Sequence, residues 1–318
     1  MHHFFIVNPA AGKGRTQEMT QAIKKRFSAL DEPMTLEHTK APGHATDLAR
    51  MITEKAGAES LRIYAVGGDG TLNEVVNGIA GSAAELGIIP CGSGNDAVRS
   101  LYSETDPLKL IEALPLSGSV PLDGGRINGR YFINIASAGF DAEVVQLSRY
   151  YKDFPLVSGS MAYVLGVLHA VARLKKYPVT VKIDKDKVIK TSMLLTIFAN
   201  GSYYGGGMHS APRAVTDDGL LDFYIVDAIR RIKLLRFFPA FRVGKHESIP
   251  EVHYLKGREA ELICDTPIPV NLDGEISLQS HLHVEIIPGM LNVARPDVKR
   301  SAFKQSREAS LQKSVLPG

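Results

Sequence analysis

The feature that most restricts this chain is Gly67-Gly68-Asp69-Gly70-Thr71, which follows the apolar run Arg62 to Val66 and leads directly into the helical pattern Leu72-Asn73-Glu74-Val75-Val76. Glycines between a strand and a helix permit a tight turn and close approach of a ligand to the main chain. The helix start meanwhile points free N–H groups and partial positive charge at an anion. Phosphate is the natural guest. An aspartate there would repel phosphate directly, so Asp69 reads as a group that reaches phosphate through a divalent cation or water. The plainer alternative is a glycine turn in which Asp69 or Thr71 caps the helix.

Two further glycine-containing loops follow apolar strands: Asn8-Pro9-Ala10-Ala11-Gly12-Lys13-Gly14 and Cys91-Gly92-Ser93-Gly94-Asn95-Asp96. Strand candidates at 3–7, 34–38, 62–66 and 86–90 alternate with helical patterns at 16–30, 44–55 and 71–80 and one beginning near Asn95. That alternation implies a mostly parallel sheet with helices on both faces, and ligands gather outside the carboxyl ends of such strands. The three loops should therefore emerge along one edge. After Val120 the rhythm becomes β-rich, with strand candidates at 120–127, 131–136, 178–184, 192–199, 220–226, 259–263 and 282–287 and helical insertions near 159–174 and 228–242. The expected organisation is an α/β nucleotide-binding domain over 1–127 and a β-rich domain over 128–294. A polar tail, 295–318, either returns to the first domain as a helix or frays.

A chain of 318 residues suits two folded units at about 150 residues each. A net charge of +3 is too small to indicate a nucleic-acid partner. Two cysteines, Cys91 and Cys264, cannot make a disulfide framework, which fits the cytoplasm. The N-terminus lacks the pattern of a signal peptide, and no run of about 18 apolar residues offers a membrane span. A lipid substrate would have to be visited at the membrane surface. Common nucleotide motifs fail: a Walker loop would need glycine where Val7 stands, and neither Gly12-Lys13-Gly14 nor Gly92-Ser93-Gly94 has the third glycine of a dinucleotide fingerprint.

At these loops the chain resembles the diacylglycerol kinase catalytic family, which includes bacterial soluble lipid kinases and sphingosine kinases. The resemblance continues through Asn134, Gly139-Phe140-Asp141, Gly205-Gly206-Gly207-Met208, Asp217-Asp218-Gly219-Leu220 and Asp273-Gly274-Glu275. It implies a C-terminal β-sandwich domain and ATP held in a cleft between the domains, with a lipid hydroxyl as acceptor, most simply that of diacylglycerol. Carried over residue by residue, the ATP site comprises Asn8, Pro9, Ala10, Ala11, Gly12, Thr39, Gly68, Asp69, Gly70, Thr71, Leu72, Asn73, Glu74 and Ser93, the last replacing the family's usual threonine. The resemblance also implies a structural Mg²⁺ on Asp218 and the carbonyl oxygens of Val215 and Leu220, although Asp-Gly is an ordinary turn pair.

Phosphoryl transfer needs cation and backbone donors on the phosphates and a carboxylate near the attacking hydroxyl. Asp273 is assigned as general base with Glu275 as co-candidate, because a spacing of two does not rank them and the same triplet could be a hairpin turn. Asp69 and Asp96, with Glu275 or a water network, would position the catalytic Mg²⁺, with Asp123 as a weaker candidate. Asp273→Asn and Asp69→Ala should each abolish transfer with the fold intact. The acid-free stretch from Ile229 to Lys245 either lies on an anionic membrane or packs on a sheet with its charges solvated, and Lys13 and Arg15 are alternative contacts. Phosphatidylglycerol and sphingoid bases are other acceptors to consider. An NAD kinase and a non-catalytic nucleotide or lipid binder are the competing functions, and a homodimer is left open.

Overall fold

The computed structural model describes residues 1–57, 60–155, 157, 159–272 and 275–299. They form two compact units: Met1–Asp123 joined by the chain from Gly289 onward, and Gly124–Pro288. The chain passes from one unit to the other after Asp123 and back after Pro288, compared with the sequence boundaries of 127 and 294.

The first unit runs β1 (His2–Val7), α1 (Arg15–Phe27), β2 (Met34–His38), α2 (His44–Ala56), β3 (Leu61–Gly67), α3 (Asp69–Ile79), β4 (Glu85–Pro90), α4 (Asp96–Leu101), α5 (Pro107–Ala113) and β5 (Ser117–Ile127, of which 117–123 belong here). The strand order β2-β1-β3-β4 is parallel throughout. All of β3 and β4 is buried, as expected of strands covered on both faces. Helix α1 turns Met19, Ile23 and Phe27 inward at a spacing of four, the stripe that made it legible in the sequence. Helix α5 was not expected. Its signal is local: Asp106 accepts the Leu108 N–H at 2.9 Å and Pro107 occupies the first turn.

A charge is buried between two central strands. Arg62 and Glu85 face each other in register, with Arg62 Nε 2.8 Å from Glu85 Oε2, and the guanidinium also donates to the carbonyls of Leu114 and Ser117. Multiple partners are what make a buried ion pair tolerable.

The second unit adds β6 (Arg130–Phe132), β7 (Ile135–Gly139), α6 (Phe140–Lys152), α7 (Gly159–Ala172), β8 (Tyr177–Ile183), β9 (Lys187–Ala199), the short pair β10 (Tyr203–Tyr204) and β11 (Met208–His209), β12 (Leu221–Asp227), α8 (Arg231–Arg242), β13 (Val252–Gly257), β14 (Glu259–Leu272) and β15 (Glu275–Lys299). Its ladders are antiparallel. Strand β9 pairs with β8 through its first half and with β7 through its second. Strand β14 does the same around a register shift between Ile263 and Ile268, where Pro267 interrupts the ladder. These two strands fold the sheet over a core that includes Phe132, Phe198, Phe223, Leu262 and Val284.

The expected strand at 131–136 is two strands, and the expected 282–287 is one strand from 275 to 299. Residues 292–293 of β15 pair with β4 in the first unit and the strand runs on to Lys299, so 295–299 of the tail are strand; 300–318 lie outside the described residues. Helix α6 was not expected either.

His246 is fully buried, stacked on Phe241 with ring centroids 4.3 Å apart, and neither ring nitrogen has a hydrogen-bond partner among the described residues. Burial lowers its pKa to about 4. An unfolded histidine binds its proton near pH 6.5, so this contribution is whole above that value and is lost as pH falls toward 4. Denaturant titrations at pH 7 and pH 5 are expected to show a loss of about 1–2 kcal/mol, absent in His246→Phe.

Candidate active site

Three loops meet at the carboxyl ends of the first unit's strands. Asn8 N–H donates to Val66 O at 3.0 Å and Thr39 N–H to Val7 O at 2.9 Å, so the parallel ladder continues one residue beyond the strands. Asn8 then turns its side chain across the gap. Its Nδ2 donates to Thr71 Oγ1 at 2.9 Å while its Oδ1 accepts the Ala10 N–H at 3.0 Å. A cavity of about 320 Å³ opens between these loops, lined by Asn8, Pro9, Ala10, Thr39, Gly70, Thr71 and Glu74 together with Lys40, Ala41 and Pro42. The resemblance named the first seven. The sequence reading missed the other three, whose signal is the turn Pro42-Gly43 ahead of α2.

Helix α3 begins at this cavity with Gly68 as its N-cap and no side-chain cap, so its first amides are donors directed outward. Lys40 adds an exposed ammonium. Glu74 faces the other way electrostatically: its Oε2 accepts the Ala45 N–H at 3.0 Å, capping α2. The cavity's donors are backbone amides, one carboxamide and one cation, a set matched to polyphosphate oxygens.

The loops are packed main chain to main chain. A Cβ on Gly92 would stand 2.6 Å from Gly68 Cα, and one on Gly12, whose φ is +67°, would stand 2.2 Å from Cys91 O. Cys91 N–H donates to Gly67 O at 2.7 Å. Glycine is required at these contacts for space, in addition to any role with a ligand.

Asp69 departs from the sequence reading. Its carboxylate accepts the amides of Asn95 at 2.9 Å, Asp96 at 3.0 Å and Ala97 at 3.4 Å, tying the start of α4 to the start of α3. It does not line the cavity. Burial and, second, the charge of Asp96 raise its pKa, and the three amides oppose the rise. Asp96 is itself buried, and both carboxylates lie within 3.5 Å of the point where a Cβ on Gly94 would sit. Three N–H groups leave one lone-pair position on Asp69 Oδ2. Two adjacent carboxylates with an open oxygen fit Mg²⁺, which takes one or two carboxylates and completes its shell with water and phosphate. Among the described residues no group of three or more acidic, histidine or cysteine side chains forms a metal cage.

The remaining expectations fall elsewhere. Leu72 and Asn73 are buried, Leu72 in the core beneath α3, and neither lines the cavity; Ala11, Gly12, Gly68 and Ser93 do not line it either. Asp123 accepts the Gly289 N–H at 2.7 Å, which fixes the returning chain. Asp273 lies outside the described residues. Glu275 is exposed and paired with Arg130 at 2.7 Å. At the Asp218 turn, Oδ1 accepts the Leu220 N–H at 3.1 Å and Oδ2 meets Lys256 Nζ at 2.5 Å, with buried Asp222 Oδ2 3.7 Å from the same ammonium. The donor set therefore does not fit the expected cation, because Lys256 brings the positive charge to Asp218. Asp141, from the motif Gly139-Phe140-Asp141, anchors a second buried constellation whose other members the sequence did not single out. Ser137 Oγ and Tyr204 OH donate to Asp141 Oδ2, and Asn271 Nδ2 donates to Tyr204 OH.

Comparison with known proteins agrees with this architecture. Residues 2–127 match the family described as the diacylglycerol kinase catalytic domain, and residues 134–295 match the YegS C-terminal NAD kinase beta sandwich-like domain. A diacylglycerol kinase of Mycobacterium tuberculosis is 30% identical over 92% of this chain and 94% of its own length. One of Bacillus subtilis is 29% identical over 88% and 94%. The crystal structure of a diacylglycerol kinase from Bacillus anthracis superposes with a TM-score of 0.71 at 21% identity, covering 92% of this chain and 96% of that one.

Gly92→Ala is expected to cost about 3 kcal/mol by driving Cβ into the Gly68 main chain, and Asp69→Ala about 2–3 kcal/mol by orphaning three amides. Equilibrium urea unfolding measures both, and an Asp69→Ala chain as stable as wild type would remove the clasp assigned to it. Lys256→Met should cost about 2 kcal/mol by leaving Asp222 buried without its counter-charge. A lysine that was only a surface group would change stability by less than about 0.5 kcal/mol.

Proposed function

This chain belongs to the diacylglycerol kinase family and is an ATP-dependent lipid kinase, and from that premise we propose that it transfers the γ-phosphoryl group of ATP to the hydroxyl of diacylglycerol, making phosphatidic acid. The observation that carries the reading is the cavity at the ends of β1, β2 and β3, whose donors suit phosphate and whose loops are those of the family.

In this reading the first amides of α3 and the Lys40 ammonium bind phosphate oxygens, and Asn8, held by Thr71, sets the loop against them. The transfer itself asks for position and charge more than covalent chemistry from the protein. The lipid hydroxyl oxygen forms a bond to the γ-phosphorus as the bond to the β–γ bridging oxygen breaks. The hydroxyl proton passes to Asp273, with Glu275 as the alternative base, and ADP leaves. Magnesium, when bound, neutralises charge on the phosphate oxygens; Asp96 and the open oxygen of Asp69 are the groups that would hold it. The reaction takes place at a membrane surface visited from the cytoplasm. No described helix is long and apolar enough to cross a membrane.

Asp273→Asn should retain the wild-type melting curve and lose about 10²–10⁴ in kcat, the usual range for removing a general base. A γ-labelled phosphate assay offering diacylglycerol micelles and NAD in parallel tests the acceptor. Label in phosphatidic acid is expected; label in NAD alone would reject the lipid reading. Mass spectrometry of products from a total lipid extract identifies any other lipid alcohol.

A further inference from the structure

The loop between β2 and α2 brings Lys40 to the cavity at the strand ends. Lys40, Ala41, Pro42 and Gly43 are all exposed, so burial does not hold this loop in place. Hydrogen bonds do. At its start the Thr39 N–H donates to Val7 O at 2.9 Å, and across Pro42-Gly43 the His44 N–H donates to Ala41 O at 3.2 Å. Gly43 has φ +85° and ψ −20°, the angles of the third residue in a type II turn, with proline at the favoured second position. The main-chain N–H of Lys40 itself donates to Nδ1 of half-buried His44 at 3.1 Å.

Helix α2, which His44 opens, is locked in turn to α3. Its N-cap is glycine and offers no side chain to the first-turn amides. Glu74 of α3 supplies what is missing: its Oε2 accepts the Ala45 N–H at 3.0 Å and its main-chain oxygen accepts the Thr46 hydroxyl at 2.9 Å. One turn along α3 the helices meet closely, since a Cβ on Gly78 would stand 2.6 Å from Thr46 O. Glu74 also lines the cavity, where a carboxylate aimed at a polyphosphate would repel it. An oxygen committed to an amide of the neighbouring helix gives that carboxylate a different task.

We propose that Glu74 and His44 are positioning residues: through α2 they hold Lys40 at a fixed place relative to the first amides of α3, so that ammonium and amides meet one polyphosphate together. The inference rests on the reading of this cavity as the ATP site, and it makes Glu74 the anchor of a loop where the resemblance made it part of the nucleotide's lining. The connection runs from Lys40 to His44, along the first turn of α2 to Ala45, and through Glu74 to α3, whose phosphate-facing start is one turn away. Preorganisation is the gain. A loop of four exposed residues that was ordered only by ATP would subtract the cost of its ordering from affinity. Because the loop is set before the reaction begins, its loss falls on ATP binding and leaves the chemical step alone.

Calorimetry of ATP with Mg²⁺ binding to the full-length chain, without lipid, tests the assignment. Glu74→Ala and His44→Ala should each weaken binding about tenfold. In Glu74→Gln the amide oxygen still accepts the Ala45 N–H, and in His44→Asn the carboxamide oxygen takes the place of Nδ1, so both should recover most of that loss. The route through the lysine is read from a double-mutant cycle: in a Lys40→Met chain, Glu74→Ala should weaken binding by less than about twofold more. Equal losses in Glu74→Gln and Glu74→Ala, or full additivity with Lys40→Met, would make Glu74 a direct ligand of nucleotide or cation and overturn the proposal. In steady-state transfer to diacylglycerol, Glu74→Ala should raise KM for ATP with kcat within about twofold of wild type. A second measurement needs no nucleotide. Amide hydrogen exchange over residues 39–48 of the unliganded chain should quicken about tenfold in Glu74→Ala and in His44→Ala, with the β3 and β4 amides unchanged. Unaltered exchange there overturns the clamp whatever the cavity binds. A wild-type chain that binds no ATP, with exchange responding as stated, would count against the nucleotide reading alone.

Discussion

The contact on which the loop edge of the first unit depends is main chain against main chain: Gly68 against Gly92, closed by the Asp69 carboxylate on three amides of the neighbouring loop. Two loops that each follow a parallel strand cannot approach this closely with side chains between them. The glycines remove the obstacle, and the aspartate supplies the attraction. One carboxylate accepting several N–H groups stabilises more than neutral hydrogen bonds would, because the acceptor is charged and the donors sit at the start of α4. The same closure brings Asp96 beside Asp69, so the fold and the proposed magnesium ligands are coupled through one side chain.

Buried charge elsewhere is also held by specific partners. Arg62 sits among Glu85, Leu114 and Ser117 in the first unit, and Asp222 lies between Tyr254 and Lys256 in the second. Lys256 also shows how a turn that resembles a cation site can be completed without one. An ammonium 2.5 Å from Asp218 supplies the charge that a divalent ion would bring, from a residue nearly forty positions away. Nothing around Asp217-Asp218-Gly219 announces it.

Much of the first unit was legible because its determinants are local. Apolar strands of about five residues, helical stripes at a spacing of four, and glycines after strands define a parallel α/β arrangement and the edge where its loops collect. The second unit was less legible. Strands β9 and β14 change partners midway, and β15 runs through 25 residues whose apolar positions are interrupted, so period-two patterns broke into shorter candidates. Of the residues named by the resemblance, Asn8, Thr39, Gly70, Thr71 and Glu74 line one cavity. Lys40 was overlooked because a lone lysine in a turn has no pattern, and Leu72 was included only because a motif is contiguous while a cavity is not.

From its residues alone the chain determined that glycine turns would collect at the carboxyl ends of parallel strands, since spacing and residue type suffice to place an amide-rich helix start there. Tertiary structure decided what each acidic side chain does. Whether a carboxylate faces a cavity, caps a helix or meets a lysine depends on which distant backbone and charge come within 3 Å of it, and that is a property of the packing of several segments, not of any one of them.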